Sequence, residues 1–600
     1  MFMETMTLNK DKFYLSLMAG AKSVLRHKDN LNEINVFPVA DGDTGTNLAS
    51  LMHAILDETN LKTDDKFKLR AIADRALEGA RGNSGIIFAQ YLNGLLMELE
   101  PTEGDIDVNQ LIEALQKAVP YAYEAVSEPV EGTMITLMKE WSEALNALKQ
   151  KTKDFIILLS ESFESLKASL AQTTEKLDVL KQNNVVDAGA KGFFHFIEGF
   201  MHYLRDGVMD EMYEDSFDAK DPEEGKPEES HESFNEGDYR YCTEALITGD
   251  NLSAKAIKKT LHDIGNSMVV AGNESKARIH IHTNEPSDVF FRLRDYGQIV
   301  QQKVDDMKRQ HEVRNARKYD TVIVTDSIAD LPQALVDQYQ IQQIPLVLTI
   351  EGSDYYDKLT ITSDKFYKFM DEFTDYPKST QPNLKHMQNF FSYLSTYYKK
   401  IIVLSVSSKM SGTYNVFNQA KKTVKDDVKI EVIDSLQNSG AQGLLVMRAA
   451  EMLDQGKSFE TIVDTLKPLR EKARILVSVK TLKYMVRGGR VSKVTGVIGK
   501  ITNLKPVISI DETGEGIIFS KGLSIKMSTN KIFKHLEKIN QEKGIERYAV
   551  VHAKAPSRVS EYIEKAKAIT GLDPVYTMDI SSIVALNAGI GTVAIAYITK

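Results

Sequence analysis

One cysteine, Cys242, is the only thiol in 600 residues. A lone cysteine excludes any internal disulfide, fits a reducing compartment and leaves a thiol for metal binding or packing. No uninterrupted apolar run approaches the roughly 18 residues that a membrane-spanning helix needs. The opening "MFMETMTLNKDKF" has no apolar signal-type core, so a cytoplasmic protein is expected. A cationic excess is also missing. The net charge is −10, whereas binding a phosphate backbone needs a concentrated basic face, so no nucleic-acid partner is expected. Anionic small molecules can still be held by local sites. No short internal repeat occurs, and none of the motifs discussed below contains the "GxSxG" elbow of a serine hydrolase.

What is present is ordinary globular material, 42% hydrophobic and 26% charged, at a length that implies several cores. Leu17, Ala21, Val24 and Leu25 share a helical face, and similar spacing recurs to about Phe200, which predicts an all-α domain over residues 1–205. The acidic, proline-bearing stretch from Glu214 to Asp238 has almost nothing to bury, and 206–238 reads as a solvated linker. Between 239 and 317, "SMVVAG" and "KARIHIHTN" read as strands around the helical "AKAIKKTLHDIG", giving a small α/β middle domain. From 318 to 600 the strands "TVIVTD", "KIIVLSVSS" and "KIEVIDS" alternate with helices, and the end of the chain reads as another lobe, so a two-lobed α/β domain is expected.

The stretch "NVFPVADGDTGTNLASLM" places Asp41 and Asp43 one residue apart on a glycine-rich turn before a helix. Two such carboxylates can converge on Mg²⁺, a hard cation usually shared with substrate phosphates. Gly42 and Gly45 let the backbone approach a ligand, and Thr44, Thr46 and Asn47 offer donors at a helix start. An Asx turn that merely caps the helix explains the same residues.

Together with "GARGNSGII" (Gly79 to Ile87), "PVEGTMIT" (Pro129 to Thr136) and "VVDAGAKG" (Val185 to Gly192), this stretch resembles the DhaL family, the nucleotide-binding domain of dihydroxyacetone kinases. The likeness is nearer to the DAK2-type domain of bacterial fatty acid kinase. That resemblance implies a helical barrel in which Asp41 and Asp43 hold Mg²⁺, Asn35 stands where those kinases carry a further aspartate, and Asn83 and Ser84 touch ATP phosphates. It also places Thr133 nearby and Asp187 in the nucleotide pocket. Ala190 and Lys191 depart from the family's "DAGGQG". Helix capping is the alternative for the "RGNSG" start, Thr133 and Asp187.

In "KARIHIHTNEP" a strand puts His280 and His282 on one face, alternating with Ile279 and Ile281. With Cys242 they form a candidate zinc set of three protein ligands, which leaves one position open. The alternative is two ordinary histidines and a small buried thiol. "YCTEALI", "IHIHTNEP" and "VDDMKRQH" resemble the middle domain of the catalytic component of fatty acid kinase, which implies zinc on Cys242, His280 and His282.

Hydroxyls and glycines cluster at the strand ends of the last domain, in "VTDSIADLP", "PKSTQPN", "SVSSKMSGTYN", "VIDSLQNSG" and "TLKYMVRGGRVSK". In an open α/β sheet such ends bind ligands, and neutral donors suit a carboxylate; each cluster read singly is a helix cap. As a set they resemble the DegV family of fatty-acid-binding proteins. The resemblance implies head-group contacts from Ser379, Thr380, Ser407, Ser408 and Ser411, and assigns Arg487 and Arg490 to the encounter with the kinase. Surface salt bridging is the alternative for both arginines. Asn587 in "LNAGIG" stands where many members have histidine, so the head-group pocket is expected to differ there.

The expectation from these parts is a kinase fused to its acyl carrier, which uses ATP and Mg²⁺, with Zn²⁺ as a further metal, to convert a fatty acid carboxylate to an acyl phosphate. The other readings are a dihydroxyacetone-type small-polyol kinase and a lipid-binding regulatory protein without turnover. Partners implied by resemblance are fatty acid, ATP, a downstream acyltransferase or acyl carrier, a second copy of the chain in a homodimer, and transient membrane-surface contact for lipid exchange.

Overall fold

The computed structural model describes residues 6–37, 42–57, 68–100, 104–209, 239–370, 375–425, 427–488 and 504–600. Asp41, Arg490 and the acidic stretch 210–238 lie outside them. The chain divides into two compact units, Met1–Asn284 with Arg292–Asp305, and Glu285–Phe291 with Asp306–Lys600. No helix among the described residues is long and apolar enough to cross a membrane.

The first unit begins with helices whose sequence provides both caps and core faces. Helix Lys10–Arg26 starts where the Asn9 side chain accepts from Lys12 N–H. It packs along Ala188–Asp206 at close range, because Gly20 and Gly199 remove the side chains between them. A Cβ on Gly20 would lie 2.6 Å from the Phe196 carbonyl, and one on Gly199 would lie 2.6 Å from that of Ala19. Between these helices and Thr44–Leu56, Gly82–Leu99, Val108–Ala125, Met134–Leu148 and Phe155–Lys176 sits an apolar core. Phe193 anchors it, with edge-on contacts to Phe88, Tyr91 and Trp141.

A four-stranded sheet completes this unit, in the order Gly265–Gly272, Lys276–Thr283, Tyr241–Thr248 and Gln298–Asp306. The two inner strands are antiparallel, with Cys242 opposite His282 and Glu244 opposite His280. Val269 is paired with His280, and Val269 and Ala271 belong to the helical core. The face carrying the histidines is therefore the one turned onto the helices. Polar contacts fix the docking: Gly272 N–H donates to Gln90 Oε1 at 2.9 Å, Ser127 N–H to the Met268 carbonyl at 3.1 Å, and Lys276 reaches Glu78 at 2.7 Å.

The second unit has a parallel sheet ordered Lys429–Asp434, Lys400–Ser405, Thr321–Asp326 and Gln342–Ile344. Its two inner strands, Lys400–Ser405 and Thr321–Asp326, are rich in Val and Ile and buried nearly throughout, as cover on both faces requires. A six-stranded mixed sheet forms the second lobe, with Ala473–Ser478, Val593–Thr599 and Ile545–His552 at its centre. Helix Ser439–Asp454 packs against strands of both sheets. A small three-stranded antiparallel sheet, Ser353–Tyr356, Val347–Ile350 and Lys378–Thr380, accompanies the first lobe.

Candidate functional site

In the helical domain, helix starts converge through contacts at two glycines. A Cβ on Gly82 would lie 2.3 Å from Asn47 Nδ2, which joins the starts of Thr44–Leu56 and Gly82–Leu99. One on Gly189 would lie 3.0 Å from Ser84 Oγ, 3.1 Å from Met134 Cε and 3.3 Å from Asp187 Oδ1, which joins Gly82–Leu99, Met134–Leu148 and Ala188–Asp206. Of the four N-caps, Asp43, Arg81 and Thr133 make no side-chain capping bond. Helix starts present N–H groups and a positive dipole end, which together favour phosphate.

Asp43 is half-buried and accepts from Asn47 Nδ2 at 2.7 Å. Thr44 and Asn47 are buried beside it, while Thr46 is exposed and holds Asn32 through its hydroxyl and N–H. Asn83 Oδ1 is buried without a hydrogen-bond partner. Such an oxygen calls for a donor or a cation, which fits a site for Mg²⁺. Thr133 donates to the Val130 carbonyl at 2.8 Å.

The expected role of Asn35 changes here, and Asp187 makes the capping bond that was its alternative. Asn35 is not presented to a cation: its Oδ1 accepts from Asp43 N–H at 3.2 Å and Thr44 N–H at 2.8 Å, using both lone pairs to hold the turn. Asp187 caps Ala188–Asp206, accepting from Ala190 N–H at 2.7 Å, and also takes the Met134 N–H. Burial pushes its carboxyl up to about 6, partly opposed by those two bonds. It organises two helix starts.

Cys242, His280 and His282 do come together, with ligand atoms all within 4.8 Å of one another. Cys242 Sγ lies 3.8 Å from His280 Nδ1. Tetrahedral zinc with ordinary bond lengths requires separations of about 3.3 Å between nitrogens and about 3.6 Å between nitrogen and sulfur, so closing by about 1 to 1.5 Å at most suffices. His280 is 3% exposed and its Nε2 is buried without a partner. Burial and the neighbouring His280 push His282 down to about 3, keeping it neutral as a metal ligand must be. Burial drives the Cys242 thiol well up, with help from Glu244, Asp305 and Asp43.

Glu244, Arg278, Gln301, Lys303 and Asp305 escaped the sequence reading. Each sits at the two-residue period of a strand, Glu244 after Cys242 and Arg278 before His280, which was the available signal. Glu244 Oε1 accepts from Gly82 N–H at 2.8 Å and lies 3.7 Å from His280 Nδ1. Its Oε2 accepts from Arg278 at 2.9 Å. Burial would raise this carboxyl, yet His280, Arg278 and Lys303 hold it well below the usual range. Lys303 pairs with Asp305 at 2.6 Å.

In the second unit a cavity of about 420 Å³ lies between the lobes, a size typical of small-molecule sites. Aliphatic side chains such as Ile328, Ile475, Val477 and Ile583 make up most of its wall. Ser379, Thr380, Ser408, Ser411 and Asn587 line it, together with Gln381, Ser439 and Ser509. Asn587 Oδ1 is buried without a partner, and a Cβ on Gly488 would lie 2.2 Å from it. Ser407 is a correction: it does not line the cavity, and its hydroxyl donates to the Gly514 carbonyl at 2.8 Å. Arg487 is exposed, its guanidinium 5.6 Å from the Tyr376 ring centroid.

Comparison with known proteins follows the same division. A DAK2 domain model matches residues 38–202, a model for the middle domain of FakA-like fatty acid kinase proteins matches 238–314, and one described as "Uncharacterised protein, DegV family" matches 320–600. Protein YloV of Bacillus subtilis is 33% identical over 317 residues, 52% of this chain and 57% of that protein. An uncharacterized protein of Staphylococcus epidermidis is 31% identical over 347 residues, 54% of this chain and 62% of that protein. The chain thus spans little more than half the length of these curated relatives. Among solved structures, DegV of Bacillus subtilis, described as a fatty acid binding protein, is 26% identical over 47% of this chain and 100% of that chain, with a TM-score of 0.44. The Streptococcus pneumoniae Fatty Acid Kinase (Fak) B3 protein, loaded with linoleic acid, is 23% identical over 47% of this chain and 99% of that chain, with a TM-score of 0.42. Successive stretches of one polypeptide thus match models for a DAK2 domain, a FakA-like middle domain and a DegV family protein.

Proposed function

We propose that this chain is an ATP-dependent kinase that phosphorylates the carboxylate of a fatty acid held in its own DegV domain. The observation carrying the kinase reading is the hydrogen bond between Gly82 N–H and Glu244, which fastens the sheet face bearing Cys242, His280 and His282 to the start of the "RGNSG" helix. Asp41 and Asp43 are the residues to hold Mg²⁺, and Asn83 and Ser84 are those to meet the phosphates. Bound Mg²⁺ would neutralise charge on the transferring phosphoryl group. Cys242, His280 and His282 are the residues to hold Zn²⁺. With three protein ligands, one coordination position stays open.

The reaction forms a bond between a carboxylate oxygen and the γ-phosphorus as the bond to the ADP oxygen breaks. A carboxylate with a pKa near 4 to 5 is already ionised at neutral pH, so the protein positions and neutralises charge and has no proton to remove. The hydroxyls of Thr380, Ser408 and Ser411 and the amides of Gln381 and Asn587 can hold the acid head, while the aliphatic wall takes the chain. Carrying both parts on one chain raises the effective concentration of acyl head near the nucleotide, commonly to about the millimolar range for a short flexible tether. The acyl phosphate would pass to an acyltransferase or acyl carrier.

Purified protein freed of lipid should consume ATP only when a fatty acid is added, with acyl phosphate trapped as the hydroxamate. Turnover with dihydroxyacetone and none with oleate would select the polyol reading. Lipid retention without any ATP consumption would select the regulatory one.

A further inference from the structure

Glu244 is 1% exposed, and both its oxygens are committed. On one side it holds the N–H of Gly82, the first residue of the glycine loop's helix, and lies 3.7 Å from the imidazole of His280. On the other it holds Arg278, itself 1% exposed. Arg278 and Arg81, the residue preceding Gly82, both donate to Gln301 Oε1, at 3.1 and 3.0 Å. Arg81 Nε also lies 4.0 Å from Glu244 Oε2. The loop and the histidine strand therefore share a carboxylate and an amide oxygen.

The loop cannot yield independently of this network. Gly82 has φ of +56°, a conformation that L side chains rarely adopt, and a Cβ there would lie 2.3 Å from Asn47 Nδ2. Asn47 in turn holds Asp43. A change at His280 has a continuous path of contacts through Glu244, Gly82 and Asn47 to the acidic turn. A buried charge with two fixed partners resists small displacements because separating either leaves it uncompensated.

We propose that Glu244, backed by Arg278 and Gln301, is a positioning residue that couples metal occupancy of Cys242, His280 and His282 to nucleotide binding at the glycine loop. This rests on the metal and nucleotide sites proposed above. Coupling of this kind is reciprocal: metal tightens nucleotide binding by the factor by which nucleotide tightens metal binding.

The test is calorimetric titration of Mg·ADP into the full chain, once stripped of metal by a chelator and once reloaded with one equivalent of Zn²⁺. The expected result is tighter Mg·ADP binding in the zinc-loaded protein, by about five-fold or more, the lower end of ordinary allosteric factors. Glu244→Gln should bring that ratio to within about two-fold while zinc content and Mg·ADP binding themselves persist. Should Glu244→Gln unfold, Gln301→Ala is the second variant. It removes the oxygen shared by the two arginines and should reduce the ratio in the same direction. A ratio near one in the unmodified protein, or an unchanged ratio in the variants, overturns the proposal and leaves Glu244 as a fastener between domains. Failure to bind zinc or Mg·ADP at all also overturns it, and is distinguishable because the binding is lost and not only the ratio.

Discussion

Asn47 donates to Asp43 Oδ1 at 2.7 Å while its Nδ2 occupies the space where a Cβ on Gly82 would lie 2.3 Å away. One amide thereby sets the distance between the acidic turn and the glycine loop. Gly82→Ala should fail twice, from the clash and from a left-handed backbone costing about 1 to 2 kcal/mol. Urea unfolding should show the helical domain destabilised by at least that amount. Asn47→Ala should instead cost only about 1 kcal/mol of stability, for one lost hydrogen bond, and weaken Mg·ADP binding several-fold by calorimetry. Unaltered nucleotide affinity in Asn47→Ala would contradict the assigned geometry.

Asp43→Ala should abolish ATP consumption, falling at least about 100-fold as expected when an electrostatic element of phosphoryl transfer is removed. Lipid extracted from the same preparation and quantified by mass spectrometry should match the unmodified protein, because the cavity lies in the other unit. Unchanged turnover would remove Asp43 from the metal site.

Ser407 and Thr380 provide a paired comparison. Ser407→Ala loses a buried hydrogen bond to Gly514 and should cost about 1 to 2 kcal/mol of stability with oleate affinity held within about two-fold. Thr380→Ala, on the cavity wall, should do the reverse: little change in stability and several-fold weaker oleate binding.

Burial raises Asp326 and Asp330 to about 6 each. The folded state therefore keeps these protons at pH values where the unfolded chain, with an ordinary carboxyl near 3.8, has lost them. The sign follows: folding takes up protons between about pH 4 and 6, and these groups add stability as pH falls through that window. Asp330→Asn keeps an acceptor for Ser581 N–H, places an amide donor where the other oxygen took the Ser439 hydroxyl, and removes the ionisation. Relative to the unmodified chain, it should gain stability on going from pH 5 to pH 7, by about 1.3 kcal/mol, because only about one pH unit of that interval lies below the folded value near 6. Urea midpoints at the two pH values measure this, and a difference of opposite sign refutes it.

Strand periodicity was enough to put His280 and His282 on one face, and the alternating α/β pattern of the last domain was plain in its Val/Ile runs. The partnership of Cys242 with His282 was beyond periodicity, since antiparallel register depends on the intervening strand and turns. The sequence resemblance brought the three residues together. Glu244 was missed because an isolated glutamate reads as a surface residue unless its buried arginine is known. Ser407 was misread for another reason: successive residues of a turn point in different directions, so a hydroxyl in the right motif can face the wrong way.

The register that sets Cys242 opposite His282 and Glu244 opposite His280 has an evolutionary corollary. Because side chains alternate, inserting a single residue ahead of His280 would exchange the imidazoles for Ile279 and Ile281 and turn the reactive groups toward the opposite side. Two inserted residues would restore the side and misplace every partner by one pair. Lineages carrying this sheet should therefore vary the length of its loops freely and almost never the length of these two strands.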